Sequence, residues 1–249
     1  MIKYLLFLFL FYLSAAEAQQ AGFKEIKLRP NKKLFDTKDS TIIYPIVVLK
    51  NTAAARRINN TIKEAILMPD DEKISTRKAL ENIRDENTIN LSYEVTFNKN
   101  GILSMYIYSE GCGAYCSSGN TYFNFDLSTG TEITISGIID AAKLDDFKKM
   151  VLADKVNALT AYKKEEKDNL ANAYIDTATY EWALQEVDSN CIKTASIENF
   201  SLSAGQVEII DPCEFPHVIR SQEPAIELKY NYKTVAAFIK PGIRKRLLQ

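Results

Sequence analysis

The chain has a single histidine among its 249 residues, which leaves little material for acid–base or metal chemistry. That residue, His217, follows a proline in a loop-like stretch, and we expect it to lie on the surface. No Gly-x-Ser-x-Gly elbow frames a serine, and the sequence contains no phosphate-binding loop, dinucleotide fingerprint or cluster of metal-ligand histidines. The sequence therefore predicts no catalytic residue, no cofactor and no enzymatic activity.

Paired carboxylates leave one enzymatic alternative open, a cell-wall hydrolase. Asp145 lies beside Asp146, and Asp70 lies beside Asp71. A glycosidase needs only two carboxyl groups at the right separation. Adjacent aspartates are also common at helix starts and turns, where they interact with the positive helix end or with solvent. We interpret both pairs in that second way.

An excess of charge of either sign is also absent. The 31 Lys and Arg residues nearly balance the 32 Asp and Glu residues, so the formal net charge is -1. A near-neutral protein is not built to hold nucleic acid by counterion release, so we predict no nucleic-acid partner. The net charge likewise gives no support for a strongly cationic protein partner.

The sequence contains no long apolar run after its first residues. The apolar stretch from Leu5 to Leu13 is followed by Ala16-Glu17-Ala18, a pattern typical of a signal peptide that is cleaved near Ala18. An uncleaved anchor is the alternative, but the run is short for a membrane span. We expect a secreted or periplasmic protein that has no transmembrane segment after signal removal.

Cysteine is sparse but its number is even: Cys112, Cys116, Cys191 and Cys213. In an oxidising compartment such cysteines are expected to form disulfides. Pairing the first two and the last two closes local loops, and these bonds would stabilise the fold by roughly 2 and roughly 3 kcal/mol. Zinc is the alternative, but the spacing lacks the compact paired knuckles of a structural site, so we predict no metal.

The stretch from Asn90 to Ile135 predicts an antiparallel meander. Apolar and polar residues alternate from Leu91 to Phe97, and Asn98-Lys99-Asn100-Gly101 provides residues that tolerate a positive φ. A strand around Tyr122–Phe125 and another at Glu132–Ile135 should follow, with the Cys112–Gly119 loop at one end of the meander.

The rest of the chain alternates between strand and helix patterns, which predicts an α+β fold: an antiparallel β-meander sheet with helices packed on one face and two small lobes. Pro45 argues that the strand around it lies at an edge of the sheet or contains a bulge, and is not a central strand. Trp182 is expected to anchor the core. The predicted helices cover Thr52 to Met68, Ser75–Asp85, Asp140–Asn157 and Asp168–Val187, with a charged break at Lys163–Asp168 and a later hairpin turning at Ala204-Gly205. After the signal peptide (1–18) we expect an N-terminal arm (19–40), which is either loose or forms an edge strand around Phe23–Leu28. A first αβ lobe (41–87) and a larger α+β domain (88–249) should follow.

Several short motifs resemble a known family. Tyr93-Glu94-Val95, Asn98-Lys99-Asn100-Gly101, Asn124-Phe125-Asp126 and Thr129-Gly130 are similar to motifs of an extracytoplasmic domain of unknown function. That domain occurs in the lysozyme-sensing anti-sigma factor RsiV and in the non-catalytic part of the peptidoglycan deacetylase PdaC. The resemblance implies a non-catalytic sensing or binding domain of the cell envelope, whose partner is a lysozyme-like protein or a cell-wall glycan.

One loop departs from the family. Where the family usually reads Gly-Gly-Ala-His, this chain has cysteines on both sides of Gly113, Ala114 and Tyr115. A disulfide there would present a rigid aromatic side chain, which is the kind of anchor that binding interfaces use. The predicted binding residues are Tyr115, Gly113, Ala114, Tyr106, Tyr108 and Tyr122. Two alternatives stay open: the tyrosines only line the sheet, or the protein is purely structural.

Overall fold

The computed structural model describes residues 19–31, 41–69, 71, 73–113 and 115–248. The predicted signal peptide (1–18), Asp70 and Ala114 lie outside the described residues. The strands are β1 Gly22–Leu28, β2 Ile42–Val48, β3 Thr88–Lys99, β4 Ile102–Cys112, β5 Cys116–Asp126, β6 Phe200–Ser203, β7 Gln206–Ile209 and β8 Leu228–Asn231. The α-helices are α1 Thr52–Leu67, α2 Thr76–Glu86, α3 Ile135–Ile138, α4 Leu144–Ala171, α5 Thr177–Glu186 and α6 Pro241–Leu248.

A five-stranded sheet in the order β1-β2-β3-β4-β5 forms the larger part of the fold. Its pairs are antiparallel except that β2 runs parallel to β3. Alternate residues of β4 point to the helix side, where Met105 packs in one core with Ile58 of α1 and Leu80 of α2. Burying each such side chain stabilises the fold by about 1.5–3 kcal/mol. The α+β prediction, with a meander covered by helices, is confirmed.

β2 is not at the edge of the sheet, which corrects the expectation drawn from Pro45. It lies between β1 and β3, but its register with β3 contains only the pair Ile42↔Leu91. Beyond that pair the side chain of Asn59 on α1 binds β2 in place of a neighbouring strand. It donates to the Val47 carbonyl and accepts from the Val47 amide, both at 2.8 Å. The proline therefore occupies a position where no neighbouring strand needs its amide.

The end of the meander also differs from the prediction. Only Glu132 bridges to Phe125, and the segment then turns into α3 instead of forming a fourth strand. Thr134 accounts for the change, because its hydroxyl accepts the Gly137 amide and caps the helix.

α4 is much longer than predicted, since its 28 residues run straight through the charged stretch at Lys163–Asp168. Lys and Glu are good helix formers, so a charged run by itself does not interrupt a helix. The next helix, α5, begins only at Thr177, where Asp176 accepts the Thr179 amide. Trp182 on that helix is 40% exposed, so its predicted role as a core anchor is wrong.

A second sheet, in the order β6-β7-β8, packs near the turn end of the meander. The predicted hairpin between β6 and β7 is present, and Gly205 takes a positive φ of 87° in its turn. Side-chain hydrogen bonds join the sheets: the Ser104 hydroxyl accepts the Leu202 amide at 2.9 Å, and the Asn124 amide donates to the Phe200 carbonyl at 2.8 Å. The Ser201 hydroxyl also donates to the Thr96 hydroxyl at 3.1 Å. The part of β4 from Tyr106 to Cys112, together with the part of β5 that pairs with it, extends past this junction.

Candidate functional site

The far end of the meander is a hairpin tip closed by a disulfide. Cys112 and Cys116 face each other in the register of β4 and β5, with their Cα atoms 4.0 Å apart. The Gly113 amide donates to the Tyr115 carbonyl at 3.0 Å, so the turn is tight. Ser117–Gly119 already belongs to β5, which makes the predicted loop shorter than expected. We call residues 112–116 the clasped tip.

The second disulfide joins Cys191 to Cys213, with a Cα–Cα distance of 5.3 Å. Both of its residues are buried, in a cluster that includes Phe215. The two pairings expected from the spacing are confirmed. This bond fixes the start of the segment that leads, through Pro216, into a 3-10 helix at His217–Gln222.

The clasped tip meets that segment through two aromatic rings. Tyr115 is 72% exposed, and its ring centroid lies 4.7 Å from that of the His217 imidazole, with 44° between the planes. Each ring belongs to a segment held by its own disulfide. His217 is on the surface as predicted, but sequence reasoning missed its contact with Tyr115, because no local pattern links two distant loops.

Three predicted tyrosines share the face of the sheet opposite α1 and α2. Tyr106 is in register with Tyr122, and their ring centroids are 5.7 Å apart. Tyr108 lies two residues farther along β4, toward the tip, so its side chain points to the same side. All three are half-buried. We call Tyr106, Tyr108 and Tyr122 the tyrosine face.

Carboxylates accept hydrogen bonds from two hydroxyl groups of this surface. The Tyr106 hydroxyl donates to Glu94 Oε2 at 2.5 Å, and this bond raises the pKa of Tyr106 to about 12. The Tyr108 hydroxyl donates to Glu110 Oε2 at 3.4 Å. The surface is therefore aromatic and acidic locally, although the whole chain is close to neutral.

The predicted residues fall on two surfaces of one hairpin. Tyr115 packs on His217, whereas the tyrosine face begins four residues before Cys112, about 13 Å along the strand. Gly113 is exposed in the tip, and Ala114 lies outside the described residues. A partner of ordinary size would span both surfaces.

Of the candidate carboxylates that the structure describes, Asp145 and Asp146 lie in a helix start and Asp71 lies in a turn. Asp145 and Asp146 stand exposed in the first turn of α4, where Asp146 lies 3.2 Å from the Lys149 ammonium. Asp71 accepts the Lys73 amide in a turn. Within the described residues, no three His, Cys, Asp or Glu side chains are grouped so that they could hold a metal ion.

Comparison with known proteins establishes the fold of the chain only. No protein-family model and no curated protein matches the chain. A DUF3298 family member from Bacteroides fragilis aligns over 93% of this chain and 98% of its own, with a TM-score of 0.57 and 13% identity. A DUF3298 family protein from Pseudomonas aeruginosa aligns over 90% of this chain and 96% of its own, with a TM-score of 0.52 and 16% identity. The chain therefore shares the fold of two members of this family of unknown function.

Proposed function

We propose that the chain is a non-catalytic binding or sensing domain of the cell envelope, secreted or periplasmic, whose ligand is a lysozyme-like protein or peptidoglycan. The observation that carries the proposal is the exposed Tyr115, held on a disulfide-closed turn and packed on His217. A rigid aromatic side chain loses little conformational entropy on binding, which makes it an efficient anchor for a partner.

Two features support a location outside the cytoplasm. The structure contains two disulfides, which persist in oxidising compartments. The apolar stretch and small-residue site at the start of the sequence are typical of a signal peptide. In the described part of the chain, no helix is both long and apolar enough to cross a membrane.

The link to the envelope rests on the short motifs that resemble those of the RsiV and PdaC domain. That family usually has a histidine where this chain has Tyr115. Here the imidazole of His217, from another segment, lies against the Tyr115 ring. The pair therefore supplies both an aromatic and an imidazole surface at the tip.

A purely structural envelope protein and a cell-wall hydrolase are the alternatives. The exposed position of Asp145 and Asp146 in a helix start favours a solvated role for them over catalysis. Incubating residues 19–249 with peptidoglycan fragments decides this point: we expect no hydrolysis, and activity lost in an Asp145→Ala variant would establish the hydrolase instead.

The binding proposal is tested by a pull-down from envelope extract and from a panel of lysozymes. The bait is residues 19–249, compared with Tyr115→Ala and with the double variant Cys112→Ser/Cys116→Ser. Tyr174→Ala is the matched control, since Tyr174 is 78% exposed but lies between α4 and α5. We expect a partner that the wild type and Tyr174→Ala retain and the other variants lose. Capture of nothing by folded, oxidised protein would overturn the proposal in favour of a structural role.

A further inference from the structure

The sheet surface opposite α1 and α2 is open around the tyrosine face. At one end of this surface Ser104 and Asn124 bind β6, and at the other end Tyr115 contacts His217. Between these contacts each of the three tyrosines keeps part of its side chain exposed to solvent. Aromatic side chains that are grouped on one exposed surface often mark a site where a partner binds.

Two carboxylates give this surface a negative charge. Glu94 and Glu110 are the only charged residues in the ranges 88–98 and 106–122, which contain the open part of the three strands. Both lie on the tyrosine side of the sheet, because they accept hydrogen bonds from Tyr106 and Tyr108. Neither forms an ion pair with another residue that the structure describes. The surface is therefore complementary in charge to a cationic partner.

The combination of tyrosine rings and carboxylates favours a guanidinium group. Each of the two carboxylates accepts a tyrosine hydroxyl through one oxygen, and its second oxygen has no hydrogen-bond partner among the described residues. An arginine side chain stacks on aromatic rings and donates to carboxylates through its planar fork, so it uses both features of the surface. A neutral glycan would leave both negative charges without a counter-charge.

The positions of the two carboxylates also set a spacing. Glu94 lies opposite Tyr106 in the register of β3 and β4, and Glu110 is four residues beyond Tyr106 on β4. Four residues of a strand span about 13 Å. Arginines at positions i and i+4 of an extended segment lie on one side of it at the same spacing, so such a segment would reach both carboxylates.

We propose that the tyrosine face binds a basic segment of a partner protein, with arginine side chains stacked on the tyrosines and paired with Glu94 and Glu110. This inference rests on the binding function proposed above and adds the chemistry of the partner. It assigns the partner to proteins and not to glycans. The rings and the carboxylates together select arginine over other side chains.

The test measures the affinity of residues 19–249 for the peptide acetyl-Arg-Ser-Gly-Ser-Arg-amide and for its counterparts with Lys or Glu in place of Arg. We expect the Arg peptide to bind most tightly, the Lys peptide less tightly, and the Glu peptide not at all. The affinity for the Arg peptide should fall about tenfold in Glu94→Gln/Glu110→Gln, since two charge pairs are lost. It should also fall in Tyr122→Leu, which removes a ring and keeps both carboxylates.

Glu64→Gln/Asp146→Asn is the matched control, because it removes two negative charges from exposed positions on α1 and α4. It should bind the Arg peptide as the wild type does. Four outcomes would overturn the proposal: no binding of the Arg peptide, equal affinity for the Arg and Glu peptides, equal affinity for the Arg and Lys peptides, or full affinity in the folded Glu94→Gln/Glu110→Gln variant. Binding of a neutral chitin trimer in place of the Arg peptide would assign the surface to a glycan.

The Tyr115→Ala variant separates this site from the clasped tip, since it should bind the Arg peptide as the wild type does. A wild type that binds the Arg peptide but captures no partner in the pull-down would overturn the proposed function and leave this site standing. A captured partner together with no binding of the Arg peptide would overturn this site alone.

Discussion

At the scale of single residues, the clasped tip depends on one covalent bond. Cys116 is exposed, whereas Cys112 is buried and donates its amide to the Asn87 carbonyl at the end of α2. The disulfide thus joins an exposed residue to an anchored one. Tyr115, which is next to Cys116, is held in position by the bond to Cys112.

Loss of each of the two disulfides should lower the free energy of unfolding by a different amount. Replacing Cys112 and Cys116 by Ser should lower the free energy of unfolding by about 2 kcal/mol, and replacing Cys191 and Cys213 by about 3 kcal/mol, since the second bond closes a longer loop. Urea unfolding of the two double variants measures both values. A larger loss from the clasped tip than from the buried bond would contradict this account.

Asp126 gives a prediction about acid. Burial raises the pKa of its carboxyl, but hydrogen bonds from Ser128 and from the Arg246 guanidinium at 2.7 Å outweigh burial and hold the pKa below its ordinary value. A folded-state pKa below the unfolded one gives stability that is complete above the unfolded pKa and is lost as the pH falls through the folded pKa. The free energy of unfolding should therefore fall less steeply below about pH 4 in Asp126→Asn than in the wild type.

Asp146→Asn is the control for this pH series, because its side chain is 69% exposed. Unfolding curves at several acid pH values would compare the three proteins. If Asp126→Asn and the wild type lost stability in parallel, the Asp126–Arg246 pair would have no role in acid stability.

Residue roles were predictable only where spacing or local pattern defines them. The cysteine pairs followed from loop length, and the shared face of Tyr106 and Tyr108 followed from strand alternation. The contact of Tyr115 with His217 did not, because it depends on how distant loops meet in the fold. Trp182 was misplaced because its helix, α5, is too exposed to bury a large side chain.

At the scale of elements, the turn after β5 is fitted closely to α1. Arg57 and Asn51 bind the carbonyl groups of Thr129 and Ser128 in this turn. Gly130 has a φ of 73°, and a Cβ on it would lie 2.4 Å from the Ala54 carbonyl oxygen. The turn therefore requires glycine for both conformation and space.

The variant Gly130→Ala should be strongly destabilised, by roughly 3 kcal/mol, because left-handed strain and a backbone clash add together. Gly205→Ala is the matched control: its φ is 87°, but nothing lies within 4 Å of the new Cβ. It should lose only about 1 kcal/mol. Thermal or urea unfolding compares them, and equal losses would show that the contact with α1 is not tight.

A buried ion pair joins α4 to the segment that follows β7. The Lys155 ammonium lies 2.7 Å from Asp211, with side chains 4% and 11% exposed. Asp211 also accepts the Ser196 amide at 3.0 Å, and Lys155 donates to the Thr194 carbonyl. Each partner of such a pair depends on the other to offset its desolvation.

Lys155→Met should therefore lower the free energy of unfolding by about 3 kcal/mol or more, since it leaves the Asp211 carboxylate buried without its cation. The double variant Lys155→Met/Asp211→Asn should recover part of that loss. A double-mutant cycle from urea unfolding measures the coupling. A cycle with no coupling would mean that the pair does not hold α4 in place.

Element types were more predictable than element ends. The first hairpin followed from alternation and turn residues, and α2 followed from its helical pattern between Ser75 and Asp85. The interior position of β2 did not, because it depends on a tertiary partner, Asn59, that sequence patterns leave unspecified. The length of α4 was missed because the charged stretch at Lys163–Asp168 was interpreted as a break, although Lys and Glu are good helix formers.

In the whole molecule, the second sheet covers one half of the meander and leaves the other half open. Ser104 and Asn124 anchor β6 over one half, and the tyrosine face occupies the other. The α+β class was predictable from the order of the elements, but this junction was not, since small polar residues carry no long-range signal. The open half ends at the clasped tip, where the proposed partner binds.

If this open half of the meander is a binding surface, hydrogen–deuterium exchange should detect the bound ligand there. Backbone exchange of residues 19–249 would be measured alone and with saturating lysozyme or soluble peptidoglycan fragments. We predict slower exchange at residues 111–119 and 213–222 with one of these ligands, and no such change in Tyr115→Ala. Unchanged exchange with both ligands, or protection confined to other parts of the chain, would contradict the account.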